Sequence, residues 1–255
     1  PRDMSSMDVP RRVHIVPLGY EKDRIVRPVI DADADEAVFL QPDPDAPEVD
    51  QPAYHADVRD RIREAGIRTE TIECDIFNLY SSLGTIAEVS NRFREHNVYV
   101  NLASGSKVTA IGGMIACMVT GAVPYYVRAE TYAGGEERPV ASGAKPPETL
   151  PKYHIEEPER EHIAVLDHVK ANQPVTKREL IEYGRREGLP FVARYDTEGV
   201  QNPERGYYRR LNTRIVEPLR SRGFVEIEKH SKYQYVAVTE SGENHLEAFR
   251  YLLQE

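Results

Sequence analysis

VYVNLASGSKVTAIGG, residues 98–113, contains the transition on which the fold turns. VYVNL mixes β-branched and aromatic residues in a short apolar run, the pattern of a buried strand. SGS then supplies hydroxyls suited to capping a helix, and a glycine that tolerates positive φ. From Ser106 the chain stays apolar and helical to Gly121, where a left-handed C-cap is expected. Strand, tight turn and helix follow one another within twenty-five residues.

The same grammar extends outward. RRVHIVPL (11–18), EAVFLQP (36–42), IRTETIEC (67–74) and VPYYVRAE (123–130) read as further strands. Helical patterns fill 21–31, 53–65 and 77–97, and in the last of these Leu79, Leu83, Ile86, Val89 and Phe93 repeat at three- and four-residue spacing. Gly66 marks another C-cap. Strands alternating with helices predict a parallel sheet covered on both faces, a doubly wound, Rossmann-like α/β domain over 7–132.

Periodicity fails after residue 132. AGGEERPVASGAKPPETLP is rich in Gly, Pro and charge, so 133–157 is expected to be a linker. Residues 158–255 follow another pattern. Ile163, Leu166 and Val169 share a helical face, and Thr176 with Glu179 spells a capping box opening KRELIEYGRREG. A loop over 189–202 leads to PERGYYRRLNTRIVEPLRSRG, with Pro203 placed for a first turn and Leu211, Ile215 and Leu219 as a core stripe. FVEIEKHSKYQYVAV alternates across a polar turn as a β-hairpin, and an amphipathic helix closes the chain. Three helices followed by a hairpin is the order of a winged helix-turn-helix.

The 255 residues carry 40% hydrophobic and 29% charged side chains, a globular composition. No apolar run approaches the ~18 residues of a membrane helix. PRDMSS (1–6) lacks the apolar core of a signal peptide and reads as an appended segment ahead of Met7. Cys74 and Cys117 form neither a disulfide framework nor a zinc cage, which points to the cytoplasm. Net charge is -9, yet residues 170–235 hold 14 basic and 9 acidic groups. A local basic excess is what a polyanion requires. Only 8 of the basic residues are lysine, and acidic runs such as DADADE fit either a halophile or an ordinary acidic protein.

Two regions offer chemistry. In the rear domain Arg205, Tyr208, Arg209, Arg210 and Asn212 lie on the third helix. Arg205, Arg209 and Asn212 fall on one face at helical spacing. Arg pairs bidentately with guanine, Asn with adenine, and Tyr reaches phosphate, so this face suits the major groove of double-stranded DNA. Lys229, His230 and Lys232 at the hairpin turn stand where a wing would touch the backbone. A solvated basic helix in a protein-interaction module is the alternative. In the front domain the ends of the first and fourth strands hold PLGYEKDR (17–24) and NLASGSKVTAIGG (101–113). Ligands of doubly wound folds bind beyond the carboxyl ends of strands. A glycine turn, a helix N-terminus, serine hydroxyls and Lys107 suit an anion of phosphate size. Neither GxxxxGK nor GxGxxG is present, so no Walker or dinucleotide loop is formed.

A parallel α/β domain with PLG after its first strand, SGSK after its fourth and a winged helix behind resembles the CARF family, the CRISPR-associated Rossmann-fold sensors, and within it the CARF–winged-helix transcription regulators of archaea. That resemblance implies a homodimer whose two CARF domains share a pocket for a cyclic oligoadenylate or another adenine nucleotide. It places Gly19 and Tyr20 in that pocket from the first loop, and Asn101, Ser104, Gly105, Ser106 and Lys107 from the second. Ser106 stands where the family usually has Thr, which keeps the hydroxyl. The expected function is a regulator that takes the nucleotide as ligand, not as cofactor, and carries no catalytic residue. A ring nuclease cleaving its cyclic ligand is the enzymatic alternative, though no His–carboxylate pair stands near either loop. No metal is expected: His162 and His168 do not share a helix face, and Asp31, Asp33 and Asp35 lack the glycine and glutamate of a calcium loop.

Overall fold

In a computed structural model of the chain, the apolar runs become strands and the periodic stretches become helices. Residues 9–42, 54–132, 141–152, 154–198, 201–230 and 233–254 are described. The chain divides into two units, Pro1–Glu157 and Pro158–Glu255.

The first unit alternates β1 (Arg12–Pro17), α1 (Lys22–Asp31), β2 (Glu36–Gln41), α2 (Tyr54–Glu64), β3 (Arg68–Glu73), α3 (Leu79–Arg92), β4 (Asn97–Asn101), α4 (Lys107–Thr120) and β5 (Val123–Tyr126). Three short strands follow: β6 (Thr131–Tyr132), β7 (Ala141–Ser142) and β8 (Glu148–Thr149). The main sheet runs β3-β2-β1-β4-β5-β8, parallel except for the antiparallel β8 at its edge. Strand order reverses between β1 and β4. The chain steps from β1 toward one edge, then returns to β4 and proceeds toward the other. Such a reversal splays the two connecting loops apart and opens a crevice at the carboxyl ends of the strands.

One expectation changes. Of the supposed linker, residues 133–140 lie outside the described residues, but β7 pairs with β6 and β8 pairs with β5. Residues 141–150 therefore belong to the first unit. Two-residue strands flanked by Gly and Pro carry too little alternation to be legible in sequence.

Val13, Ile15 and Val16 of β1 and Ala37 to Leu40 of β2 are fully buried, as a sheet covered on both faces requires. Ile25, Val26 and Val29 of α1 and Val58 and Ile62 of α2 close one side. Full burial of each such side chain contributes about 1.5–3 kcal/mol. His14 is among the polar side chains buried in this unit. His14 is 4% exposed; its Nδ1 lies 3.1 Å from the Tyr125 hydroxyl, and its ring tilts against Tyr99. Burial first, then the Arg12 charge, lowers its pKa to about 4. The unfolded chain takes up a proton near pH 6.5 while the folded one resists until about 4, so acid favours unfolding across that window. The full shift corresponds to about 3 kcal/mol. Urea denaturation from pH 7 to 4 should show a loss of that order, and His14→Phe should flatten the slope relative to the wild type. Identical slopes would remove His14 from the explanation.

The second unit contains α5 (Arg160–Asn172), β9 (Val175–Thr176), α6 (Lys177–Arg186), α7 (Pro190–Ala193), α8 (Pro203–Leu211), a π-turn over Asn212–Val216, α9 (Glu217–Ser221), β10 (Val225–His230), β11 (Tyr233–Val238) and α10 (Glu240–Phe249), which ends in a 3-10 turn, Arg250–Leu253. The hairpin β10–β11 gains β9 as a third strand. The capping box is present: Thr176 Oγ accepts from the Glu179 N–H while the Glu179 carboxylate accepts from the Thr176 N–H. α7 interrupts what reads as a loop. The third helix is broken by a π-turn, and Pro218 supplies part of the reason. Proline has no N–H for the carbonyl four residues earlier, that of Arg214. His162 Nε2 donates to that carbonyl instead, at 2.6 Å. Among the described residues no helix is long and apolar enough to cross a membrane.

Candidate functional site

The loops after β1 and β4 meet at the strand-order reversal, and two glycines make the meeting possible. A Cβ on Gly19 would lie inside van der Waals contact of the Gly105 backbone nitrogen and 3.1 Å from its Cα. Gly105 has φ +81°, and a Cβ there would come within 2.7 Å of the Pro17 Cβ. Backbone thus lies on backbone, with the second loop turning through the left-handed region only glycine enters freely. Ser104 Oγ donates to the Pro17 carbonyl at 2.6 Å and fixes the pair. His55 of α2 donates from Nε2 to the Gly19 carbonyl at 2.8 Å.

Asn101 holds the same junction from beneath. It is fully buried; Nδ2 donates to the Arg24 carbonyl at 2.9 Å and Oδ1 accepts the Ala103 N–H at 2.8 Å. The Tyr125 hydroxyl bonds to it as well, which joins it to His14. Ser106 is the N-cap of α4: its Oγ accepts from the Thr109 N–H at 2.9 Å and donates to the Ile76 carbonyl in the β3–α3 loop. Of the sequence-selected residues, then, Asn101 and Ser104 are buried and Ser106 is half-buried, each with its polar group bonded inside the chain. They set loop geometry. The more exposed set is smaller: Gly105, which is half-buried, Lys107 in the first turn of α4, and Tyr20 in the first loop. Gly19 is buried and contributes shape.

α4 is long enough to present a real macrodipole, and the N–H groups of Lys107 and Val108 precede its hydrogen-bond ladder. Positive potential collects there from the helix end and the Lys107 ammonium. At the same pole Arg24 pairs with Glu21 at 2.7 Å, Lys22 pairs with Asp57, and the Asp75 carboxylate beside Ile76 accepts the Phe77 N–H. Tyr20, Phe77 and Ile111 are large, exposed apolar groups at this pole and along α4. Aromatic faces near a cationic helix end suit a base attached to a phosphate. Sequence reasoning missed His55 and the Ile76 carbonyl, which act on Gly19 and Ser106, 36 and 30 residues away, and neither sits in a motif.

In the second unit Arg205, Tyr208 and Arg209 stand exposed on α8. Arg210 does not join them. Its Nε donates to the Phe191 carbonyl at 2.8 Å and its guanidinium lies over Tyr195, so it anchors α7. Asn212 is half-buried, with a buried Oδ1 that has no partner among the described residues. It begins the π-turn, so the helical spacing that aligned it with Arg205 and Arg209 holds only to Leu211. Arg214 turns toward Glu161, 3.6 Å from a carboxylate that is 3% exposed and that also accepts the Phe191 N–H at 2.7 Å. Burial raises the pKa of Glu161. Gly206 leaves room for the Tyr195 ring, which a Cβ would overlap. Lys232 lies outside the described residues; Lys229 and His230 end β10. Among the described residues no cluster of His, Cys, Asp and Glu could hold a metal ion.

Comparison with known proteins gives two family matches. The model described as HFX_2341_N-like, N-terminal, matches residues 12–132, and that of the DUF6293 C-terminal winged helix domain matches residues 161–250. No curated protein matches the sequence. Among solved structures, Can2 from Sulfobacillus thermosulfidooxidans, in complex with cyclic tetra-adenylate, is 16% identical at a TM-score of 0.39, over 45% of this chain and 31% of that one. Csm6 from Enterococcus italicus, bound to cyclic hexa-2′-fluoro-hexa-dAMP, is 10% identical at 0.38, over 49% and 35%. Protein VC1899 from Vibrio cholerae is 11% identical at 0.40, over 94% and 65%. The chain spans about a third of the length of the first two.

Proposed function

This chain joins an HFX_2341_N-like domain to a DUF6293 winged helix domain, the arrangement of a CARF domain fused to a winged helix, and from that premise we propose a nucleotide-responsive, DNA-binding transcription regulator. The observation that carries the proposal is the glycine-on-glycine junction at the strand-order reversal, which aims the N-terminus of α4 and Lys107 outward in a chain that also bears a winged helix. In this reading the ligand is a cyclic oligoadenylate. Its phosphodiester meets the first-turn N–H groups and the Lys107 ammonium, and Tyr20 stacks on an adenine. Asn101, Ser104 and Ser106 position the loop. The active species is a homodimer presenting two α8 faces to a two-fold DNA site. Ligand acts by binding the DNA-competent and DNA-incompetent states unequally.

The test is titration of cyclic tetra-adenylate against the wild type and Lys107→Ala. Removing one charge-assisted hydrogen bond costs about 1.5–3 kcal/mol, so the variant should bind roughly ten- to a hundredfold more weakly. Wild-type protein that fails to bind at micromolar ligand, or a variant that binds equally, would overturn the pocket. The proposal is of a sensor, so labelled ligand incubated with the protein should stay cyclic.

A further inference from the structure

In the regulator proposed above α8 enters the major groove, and residues near the start of such a helix meet the base edges. The exposed side chains of its first two turns are Glu204, Arg205, Tyr208 and Arg209. Arg205 and Arg209 bring positive charge and Tyr208 a hydroxyl. Glu204 is the odd one, because a carboxylate facing a polyanion works against the phosphate contacts around it.

Its placement is firm for an exposed side chain. Glu204 is 62% exposed, yet its Oε1 accepts from Nη2 of Arg185, in the last turn of α6, at 2.6 Å. That guanidinium is held in turn over the Tyr207 ring, with Cζ 4.5 Å from the centroid. The helical turn beneath is fixed as well. Asn202 Oδ1 accepts the Arg205 N–H at 3.2 Å, Tyr207 meets Tyr195 edge-on at 5.0 Å, and Tyr195 fills the space a Cβ on Gly206 would need. The other charged groups lining the groove between α6 and α8, Arg178 and Glu182, pair with each other at 3.1 Å. Glu204 Oε2 has no hydrogen-bond partner among the described residues. Arg185 therefore fixes one oxygen and leaves the other to an incoming donor. An ion pair this exposed contributes little to stability, so holding the fold together is a weak account of it.

A fixed acceptor in the major groove discriminates among bases. Guanine presents N7 and O6 and thymine presents O4, acceptors that repel a carboxylate. Adenine sets its N6 amine beside the N7 lone pair, whereas the polar group of cytosine there is the N4 amine alone. We propose, on the reading that α8 contacts DNA, that Glu204 is a specificity-determining residue accepting a hydrogen bond from cytosine N4 in each half-site, with Arg185 as the positioning residue that aims its carboxylate.

Selection of binding sites from randomised duplexes, at one salt concentration and with the full chain, tests the assignment on wild type, Glu204→Gln, Glu204→Ala and Arg185→Ala. Wild type should enrich a C·G pair at one position of each half-site. A glutamine side chain pairs bidentately with adenine N6 and N7, so Glu204→Gln should convert that position to A·T in the same orientation. Glu204→Ala should lose about fivefold or more of the cytosine preference there. It should bind unrelated duplex at least as tightly as wild type, since a negative charge has gone. Arg185→Ala should weaken the same preference without passing it to another base. A purely structural link between α6 and α8 would give no such exchange of one base for another. A wild-type profile without the C·G pair, a C·G preference that survives in both Glu204 variants, or changes spread evenly over all positions would overturn the assignment and leave the DNA-binding reading standing. Wild type that binds no duplex at low salt would overturn that reading, and the assignment with it.

Discussion

Gly19→Ala should be among the most damaging single-methyl changes in the first unit, lowering its stability by about 2–4 kcal/mol and abolishing ligand binding. The added Cβ meets the backbone of Gly105, not the end of a side chain that could swing aside. Relief requires the two loops to separate, which would break the Ser104 bond to the Pro17 carbonyl and the His55 bond to the Gly19 carbonyl. It would also tilt the start of α4 away from the crevice. Gly66→Ala is the matched control. Gly66 also has positive φ, +82°, but nothing lies within 4 Å of its missing Cβ. That substitution should cost only the left-handed penalty, about 1–2 kcal/mol. The decisive measurement is Tm together with cyclic tetra-adenylate affinity for both variants. Equal behaviour would mean that the loops do not touch as described.

The contrast between those glycines shows what the sequence can and cannot announce. PLGY and SGSK could each be recognised as a turn at the end of a strand, because local chemistry dictates turns. Both follow the expected strands, and the alternation that predicts a doubly wound sheet is borne out by β1 to β5 and their helices. That one glycine packs on the other follows only from strand order, which places β1 beside β4. Hydroxyl counting is blind to tertiary partners for the same reason. Ser104 and Ser106 read as ligand donors because their partners, the carbonyls of Pro17 and Ile76, lie 87 and 30 residues away. A backbone carbonyl has no letter of its own. The rear domain repeats the lesson: Thr176 with Glu179 is a local motif and forms as read, whereas the π-turn depends on Pro218 and on His162 from another helix. Tertiary hydrogen bonds decide which arginines remain available, and periodicity is blind to them.

That distinction makes the DNA interface separable by mutation. On α8, Arg205 and Arg209 are exposed, while Arg210 is spent on the Phe191 carbonyl. In the proposed regulator the double change Arg205→Ala/Arg209→Ala removes two guanidinium groups per subunit that pair with phosphate or base, each worth about 1–3 kcal/mol. Operator affinity should then fall by at least a hundredfold at low salt. For every phosphate no longer neutralised, the slope of log affinity against log salt should also flatten by about 0.9. The melting temperature should stay unchanged, since neither guanidinium holds the fold together. Arg210→Ala should do the reverse. It leaves the Phe191 carbonyl without its donor and takes a cation off the Tyr195 ring, a loss of about 1–3 kcal/mol in stability. Its DNA affinity, measured on the folded fraction, should change little and its salt slope not at all. Mobility shifts across a salt series, paired with thermal denaturation, read both quantities on the same samples. If Arg210→Ala lowers the salt slope while Arg205→Ala/Arg209→Ala does not, the helix is turned differently toward DNA. If neither does, the basic excess of the rear domain serves a partner other than nucleic acid.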